Sequence, residues 1–260
     1  MKRRNLIHKV FNRLYTILST MISERTWHYD GINIKYIWVR STDKDCSSRK
    51  PLIVSFPACW ANGAKYNYMG TLKRFNCNKL FLLDDAGNDH CGNYLMGDRY
   101  ERAVSALINH VIDKVNPSKK IFIGSSKGAS SALNYSFLIK GVDAIIGAPQ
   151  YRIGLYLNKR SDKSNLLSIL GGKENDLHLA IKEADSRIES KIYNSVIRPT
   201  HIYILYSKNE PHYEEHIREL LRDLRENNID VEERVMDYPN HSQIAEFFPA
   251  YLIEKLRTIV

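Results

Sequence analysis

The segment Lys120-Ile121-Phe122-Ile123-Gly124-Ser125-Ser126-Lys127-Gly128-Ala129-Ser130-Ser131 runs from a short apolar stretch straight into small residues. An apolar run without polar alternation suits a strand covered on both faces. Residues 128–139 then read as a helix that opens on small side chains. Between them, Gly124-Ser125-Ser126-Lys127-Gly128 has the form Gly-x-Ser-x-Gly. The pattern is common and means little alone. Set between a buried strand and a helix, it predicts a sharp, strained turn that lifts Ser126 above a sheet, near the positive end of a helix dipole. Glycines at 124 and 128 let strand and helix approach closely. The competing reading is a glycine-rich turn that binds phosphate, but the spacing matches neither standard phosphate loop. Ser126 is therefore a candidate nucleophile.

Outward from this turn, buried runs alternate with helical periodicity. Residues 51–56, 79–83, 142–146, 200–206 and 231–236 read as strands. Residues 98–115, 213–227 and 243–259 read as helices. Ahead of them, two β-rich runs flank Asp30-Gly31, a favoured two-residue turn, and predict a hairpin over 26–40. Residues 161–195 read as polar helix broken at Gly171-Gly172, placed where a cap is often inserted over a site. The expected fold is α/β: an α/β-hydrolase fold with a mostly parallel sheet, helices on both faces, an antiparallel N-terminal hairpin and a helical cap insertion. Residues 26–260 are expected to form one such domain, with residues 1–25 as a separate basic amphipathic helix.

A serine needs a base and an orienting acid, and in this fold they follow it in the order Asp or Glu, then His. Glu210 lies in the loop after the strand at 200–206. His241 lies in the loop after 231–236, just before the last helix. His241 is expected to take the proton from Ser126, and Glu210 to fix the imidazole tautomer. Asp237 is a rival carboxylate at a strand end. His90 and Cys91 share a loop, but no elbow precedes Cys91. His212 and His216 have a metal-ligand spacing, but no third ligand is evident, so a solvated helix face is expected, with Glu214 and Glu215 also solvated. The oxyanion hole requires two backbone N–H groups. Lys127 is expected to supply one. Pro57 has none, so the loop after residues 51–56 is expected to supply the other from Ala58.

Hydrophobic residues make up 43% of the 260 and charged residues 26%, the balance of a globular chain rather than a disordered one. The net charge of +9 is concentrated at one end. Lys2, Arg3, Arg4, Lys9, Arg13 and Arg25 stand against Glu24 alone in residues 1–25, so that stretch carries +5. This does not describe a nucleic-acid-binding domain, and no nucleic acid is expected as a partner. Apolar residues at Ile7, Val10, Phe11, Leu14, Ile17, Leu18 and Met21 share one helical face. Lys9 and Arg13 leave the uncharged run too short to span a bilayer, and no signal-peptide pattern follows. The segment suits an anionic membrane surface or packing on the enzyme body or a partner subunit. Cys46, Cys59, Cys77 and Cys91 form no Cys-x-x-Cys pair, and reduced thiols in a cytoplasmic protein are expected. No cofactor or metal is expected.

The elbow from Ile121 to Ala129, with Asp84-Asp85 leading to Gly92-Asn93-Tyr94, resembles the accessory Sec system acetyltransferase-like proteins of streptococci. The same features resemble XcbB/CpsF-type capsular polysaccharide biosynthesis proteins. The similarity covers roughly residues 50–250. In the accessory Sec group the triad is Ser, Glu, His in that order, and Ser126, Glu210 and His241 match it. The resemblance implies acyl, in particular acetyl, transfer to a sugar of a bacterial surface glycan, or hydrolysis of such an ester. The partners are then an acyl donor and a carbohydrate acceptor. A non-catalytic scaffold held at the inner membrane face by residues 1–22 and a general carboxylesterase are the alternatives; the polar character of 161–195 favours a polar substrate.

Overall fold

The computed structural model describes residues 23–42, 49–60, 63–87, 92–159, 166, 169 and 176–260. Of the amphipathic helix expected over residues 1–25, residues 1–22 lie outside them, as do Cys46, His90, Cys91 and Gly171-Gly172, while Glu24 and Arg25 belong to the first strand rather than to a helix.

Among the described residues, eight strands form one sheet: β1 (Glu24–Tyr29), β2 (Ile32–Val39), β3 (Leu52–Ser55), β4 (Asn78–Leu82), β5 (Lys120–Ser125), β6 (Val142–Gly147), β7 (His201–Ser207) and β8 (Val231–Met236). Their order across the sheet is β1-β2-β4-β3-β5-β6-β7-β8. β1 pairs antiparallel with β2, and β2 with β4. Every other pairing is parallel. The turn between β1 and β2 has φ of 48° at Asp30 and 71° at Gly31, as the Asp-Gly pair predicts.

Seven helices are described: α1 (Met69–Leu72), α2 (Asp98–Val115), α3 (Lys127–Ser136), α4 (Ile153–Asn158), α5 (Leu177–Asn194), α6 (Arg218–Glu226) and α7 (Ile244–Ile259). The two-residue period of the strands decides which layer each side chain joins. Leu52, Val54 and Phe122 point into one core with α2, α3, α5 and α6. Ile53, Ile121 and Ile123 point into the other, with α1 and α7. β3 to β6 are therefore buried on both faces, and their continuous apolar sequences follow from that.

Three features differ from the sequence expectation. α1 and α4 are additional short helices. The helix expected over 213–227 begins as a π-turn at Tyr213–Ile217 before α6. In the stretch expected as a cap, α5 buries Ala180, Ala184, Ile188 and Ile192 in the same cluster as the sheet, so it is a flanking helix. Its four inward positions are spaced four residues apart and outweigh its polar composition.

Candidate active site

β5 and α3 meet at Ser126, which has φ 53° and ψ −124°. A serine pays strain in that region, and the surroundings must hold it there. Ser126 N–H donates to the Gly147 carbonyl on the neighbouring strand at 2.8 Å, and the Ser126 carbonyl accepts from Ala129 N–H at 2.9 Å. A Cβ on Gly124 would lie 2.2 Å from the Gly128 carbonyl oxygen, and one on Gly128 would lie 2.4 Å from that of Phe56. Both glycines are thus required by close backbone approach.

A buried ion pair secures the start of α3. Lys127 Nζ meets Asp84 Oδ2 at 2.7 Å, with side-chain exposures of 4% and 1%. Asn93 N–H donates to the second oxygen of Asp84 at 2.9 Å. Ser131 Oγ donates to the Tyr94 carbonyl. Asp84, Asn93 and Tyr94, marked in the sequence by its resemblance, are thereby fastened to the helix that follows Ser126.

Glu210 and His241 arrive from the ends of β7 and β8. His241 Nε2 is 2.8 Å from Ser126 Oγ. His241 Nδ1 is 2.7 Å from Glu210 Oε2. A carboxylate only accepts, so Nδ1 carries the proton and Nε2 is left to accept from the serine. Glu210 is buried, and its other oxygen accepts from the Tyr238 hydroxyl at 3.2 Å. Burial and the charge of Glu210 push the Tyr238 phenol well above its ordinary value, so it remains a donor. Ser207 Oγ donates to the Tyr238 carbonyl at 2.7 Å and accepts from Tyr238 N–H at 3.1 Å, tying the two loops together. The structure brings Ser126, His241 and Glu210 into one hydrogen-bonded chain. The rival Asp237 instead accepts from Asn209 Nδ2 at 2.6 Å.

The oxyanion donors expected from sequence are placed differently. Lys127 follows Ser126 directly, at the first turn of α3. Ala58 N–H donates to Asn67 Oδ1 at 3.1 Å, so in this structure it is committed to a side chain. Trp60 Nε1 donates to the same oxygen at 3.2 Å.

Sequence reasoning missed Gln150 and misplaced His212 and His216. Gln150 is fully buried, and its Nε2 donates to Ser126 Oγ at 3.1 Å. The Tyr94 hydroxyl donates to Gln150 Oε1 at 2.8 Å, which points the amide nitrogen at the serine. Gln150 follows β6, on the opposite side of β5 from β3, so it reaches Ser126 Oγ from the side away from Ala58. Gln150→Ala is expected to lower kcat by about 10–100-fold with little change in KM, read from initial rates, because a misoriented nucleophile loses rate without losing substrate affinity.

His212 and His216 are buried, not on a solvated face. The π-turn between them rolls both rings inward, and Tyr156 packs edge-on against each. The His212 ring lies against His241, with centroids 3.7 Å apart. Burial, then the neighbouring His241, lowers the His212 pKa to about 2, and burial lowers that of His216 to about 4. Below the ordinary value of 6.5 the unfolded chain therefore binds protons that the fold does not. Stability is then lost as pH falls. Urea unfolding should show a cost of about 2 kcal/mol per histidine between pH 7 and pH 5, reduced in His216→Gln.

No family model matches the sequence, and no curated protein does. Solved structures do. The capsule O-acetyltransferase of Neisseria meningitidis serogroup A superposes with a TM-score of 0.71 at 19% identity, covering 88% of this chain and 96% of that one. FphF, a fluorophosphonate-binding serine hydrolase of Staphylococcus aureus, gives 0.56 at 12% identity, covering 88% and 97%. The fold is that of the α/β-hydrolases. A third α/β-hydrolase-like match is the glycosylation-associated Gap123 complex of Streptococcus agalactiae, with a TM-score of 0.71 at 19% identity. It covers 92% of this chain, which spans 46% of that one. No helix among the described residues is long and apolar enough to cross a membrane.

Proposed function

We propose that this protein is a serine-dependent acyltransferase or esterase that carries an acetyl group on Ser126 and acts on a bacterial surface or capsular polysaccharide. The observation that carries the reading is the chain from Ser126 Oγ through His241 to buried Glu210, at 2.8 and 2.7 Å. Its position at the carboxyl ends of β5, β7 and β8 of an α/β-hydrolase sheet supports it. The polysaccharide and the donor are suggested by likeness to the meningococcal capsule O-acetyltransferase, a mutant of which has been solved in complex with CoA.

In this reading Ser126 Oγ attacks the acyl carbonyl carbon while its proton passes to His241 Nε2. Glu210 balances the positive charge that His241 acquires. The tetrahedral oxyanion is held by Lys127 N–H and by Ala58 N–H, where it displaces the neutral oxygen of Asn67 as the stronger, charged acceptor. Collapse breaks the bond to the donor, whose leaving group takes the proton from His241. A sugar hydroxyl or water then attacks the acyl-enzyme, giving its proton to His241, and Ser126 recovers it. The reaction takes place in the cytoplasm or at the inner membrane face, with residues 1–22 as the contact.

The test is incubation of the purified protein with acetyl-CoA and de-O-acetylated capsular polysaccharide. Release of free CoA matched by acetyl ester on the polysaccharide is expected. Release of CoA with free acetate alone would reassign the protein as an esterase. No turnover of acetyl-CoA or of any chromogenic acetate would overturn the reading in favour of a scaffold.

A further inference from the structure

Lys79 stands where an apolar residue is expected. On the sheet face covered by α1 and α7 it is flanked in register by Val39 of β2 and Ile53 of β3, and Ile121 of β5 follows. The residue is buried, and among the described residues its ammonium has one partner, the Cys77 carbonyl at 3.1 Å. A single neutral acceptor leaves a buried cation uncompensated, which costs free energy. Burial accordingly lowers the Lys79 pKa from its ordinary value.

Lys79 lines a cavity of about 290 Å³ whose walls also include Arg40, Lys73, Arg74 and Phe75. No carboxylate lines it among the described residues. Arg40 and Arg74 are exposed at its rim, and neither makes an ion pair or a hydrogen bond among the described residues. The rim between them is built: Asn76 Oδ1 accepts from Thr42 N–H at 3.0 Å and from the Ser41 and Thr42 hydroxyls.

We propose that Lys79, Arg40 and Arg74 form a binding site for a phosphate group, at the end of the sheet opposite Ser126. Guanidinium forks take paired phosphate oxygens, and a lysine ammonium adds a point charge. The bound anion supplies the counter-charge that Lys79 lacks. The cavity leaves room for a substituent on the phosphate, and Phe75, Phe81 and Met69 offer it apolar surface.

The site is separate from the triad. Lys79 shares its register with Ile53 and Ile121, and Ser126 comes five residues after Ile121. At about 3.3 Å per residue the two lie about 17 Å apart along the strands. β1 begins at Glu24, opposite Ile37 of β2, so the chain enters the sheet at the same end as the cavity. The preceding residues include Lys2, Arg3, Arg4, Lys9 and Arg13. A phosphate reaches this end either on a free small molecule or as the head of an anionic lipid, and the chemistry of capture is the same. The inference does not rest on the proposed function.

The experiment is calorimetric titration and urea unfolding of the full-length protein in chloride buffer, with inorganic phosphate as the probe. Saturable binding of one equivalent is expected, with an unfolding midpoint that rises with phosphate. Arg74→Gln and Lys79→Met should each weaken binding about tenfold or more, since each removes a charged hydrogen-bond donor. Lys182→Gln, on α5, and Ser126→Ala should bind as the parent does. Without phosphate, Lys79→Met should unfold at higher urea than the parent, because the uncompensated cation is gone. A second arm sediments the same proteins with phosphatidylcholine vesicles, with and without about one quarter phosphatidylglycerol. Binding to the anionic vesicles alone, weakened in Lys79→Met and not in Lys182→Gln, upholds the site and identifies the phosphate as a lipid head. Binding to neither probe, or binding equal in the parent, Arg74→Gln and Lys79→Met, overturns it. A lower urea midpoint for Lys79→Met with undiminished binding shows that the lysine serves the Cys77 carbonyl alone, and also overturns it.

Discussion

Ser126→Ala is expected to lower turnover of a chromogenic acetate by about 10⁴-fold or more. In the proposed mechanism the hydroxyl is both the attacking group and the proton donor to His241, so without it nothing remains to form an acyl-enzyme. Residues that act as a unit are not additive, and the double variant with His241→Ala should be no slower than Ser126→Ala by more than a small factor. Folding should survive, because the turn is held by backbone bonds from Ser126 to Gly147 and from Ala129 to Ser126. Ser126→Gly separates the two demands on this position. It should be as inactive as the alanine variant yet more stable by about 1 kcal/mol in urea unfolding, since glycine accepts φ 53° without strain. A variant that keeps activity at either substitution would remove Ser126 from the chemistry.

The largest stability loss is expected at Lys127→Met. It deletes one member of an ion pair whose partner, Asp84, has almost no solvent contact. Removing one partner of a buried pair leaves an uncompensated charge and costs about 3–5 kcal/mol. Urea midpoints should show this loss for Lys127→Met. The double variant with Asp84→Asn should recover part of it, because the lone charge is gone while the carboxamide oxygen still accepts from Asn93 N–H. Recovery in the double variant identifies the unpaired charge as the cause; equal destabilisation in single and double variants would point to lost packing instead.

Much of this architecture is legible in the residues. Continuous apolar runs mark strands buried on both faces, and the Asp30-Gly31 pair marks the hairpin because both positions adopt positive φ. The elbow is legible because Gly124 and Gly128 are demanded by backbone contacts of 2.2 and 2.4 Å. Ser126, Glu210 and His241 are legible by their order after strands, and they meet because those strand ends lie at one edge of a parallel sheet. What is illegible is set by tertiary contact. α1 and α4 have four and six residues, too short for a periodic signal. Gln150 and Asn67 lie in loops, where nothing in the sequence says what a carboxamide faces. His212 and His216 sit among charged residues that suggest a solvated face, and the π-turn turns them inward against Tyr156. α5 is polar in composition, yet its inward stripe of alanines and isoleucines packs against α3, α4 and α6 in the core they share with the sheet.

The most direct test of the central claim is the mass of the intact protein, quenched in acid shortly after mixing with an acetyl donor. The account predicts a species one acetyl group heavier, mapped by peptide fragmentation to Ser126 and absent from Ser126→Ala. Turnover of the donor with no such adduct in the parent, or an adduct carried elsewhere, for example on Cys59, would contradict it.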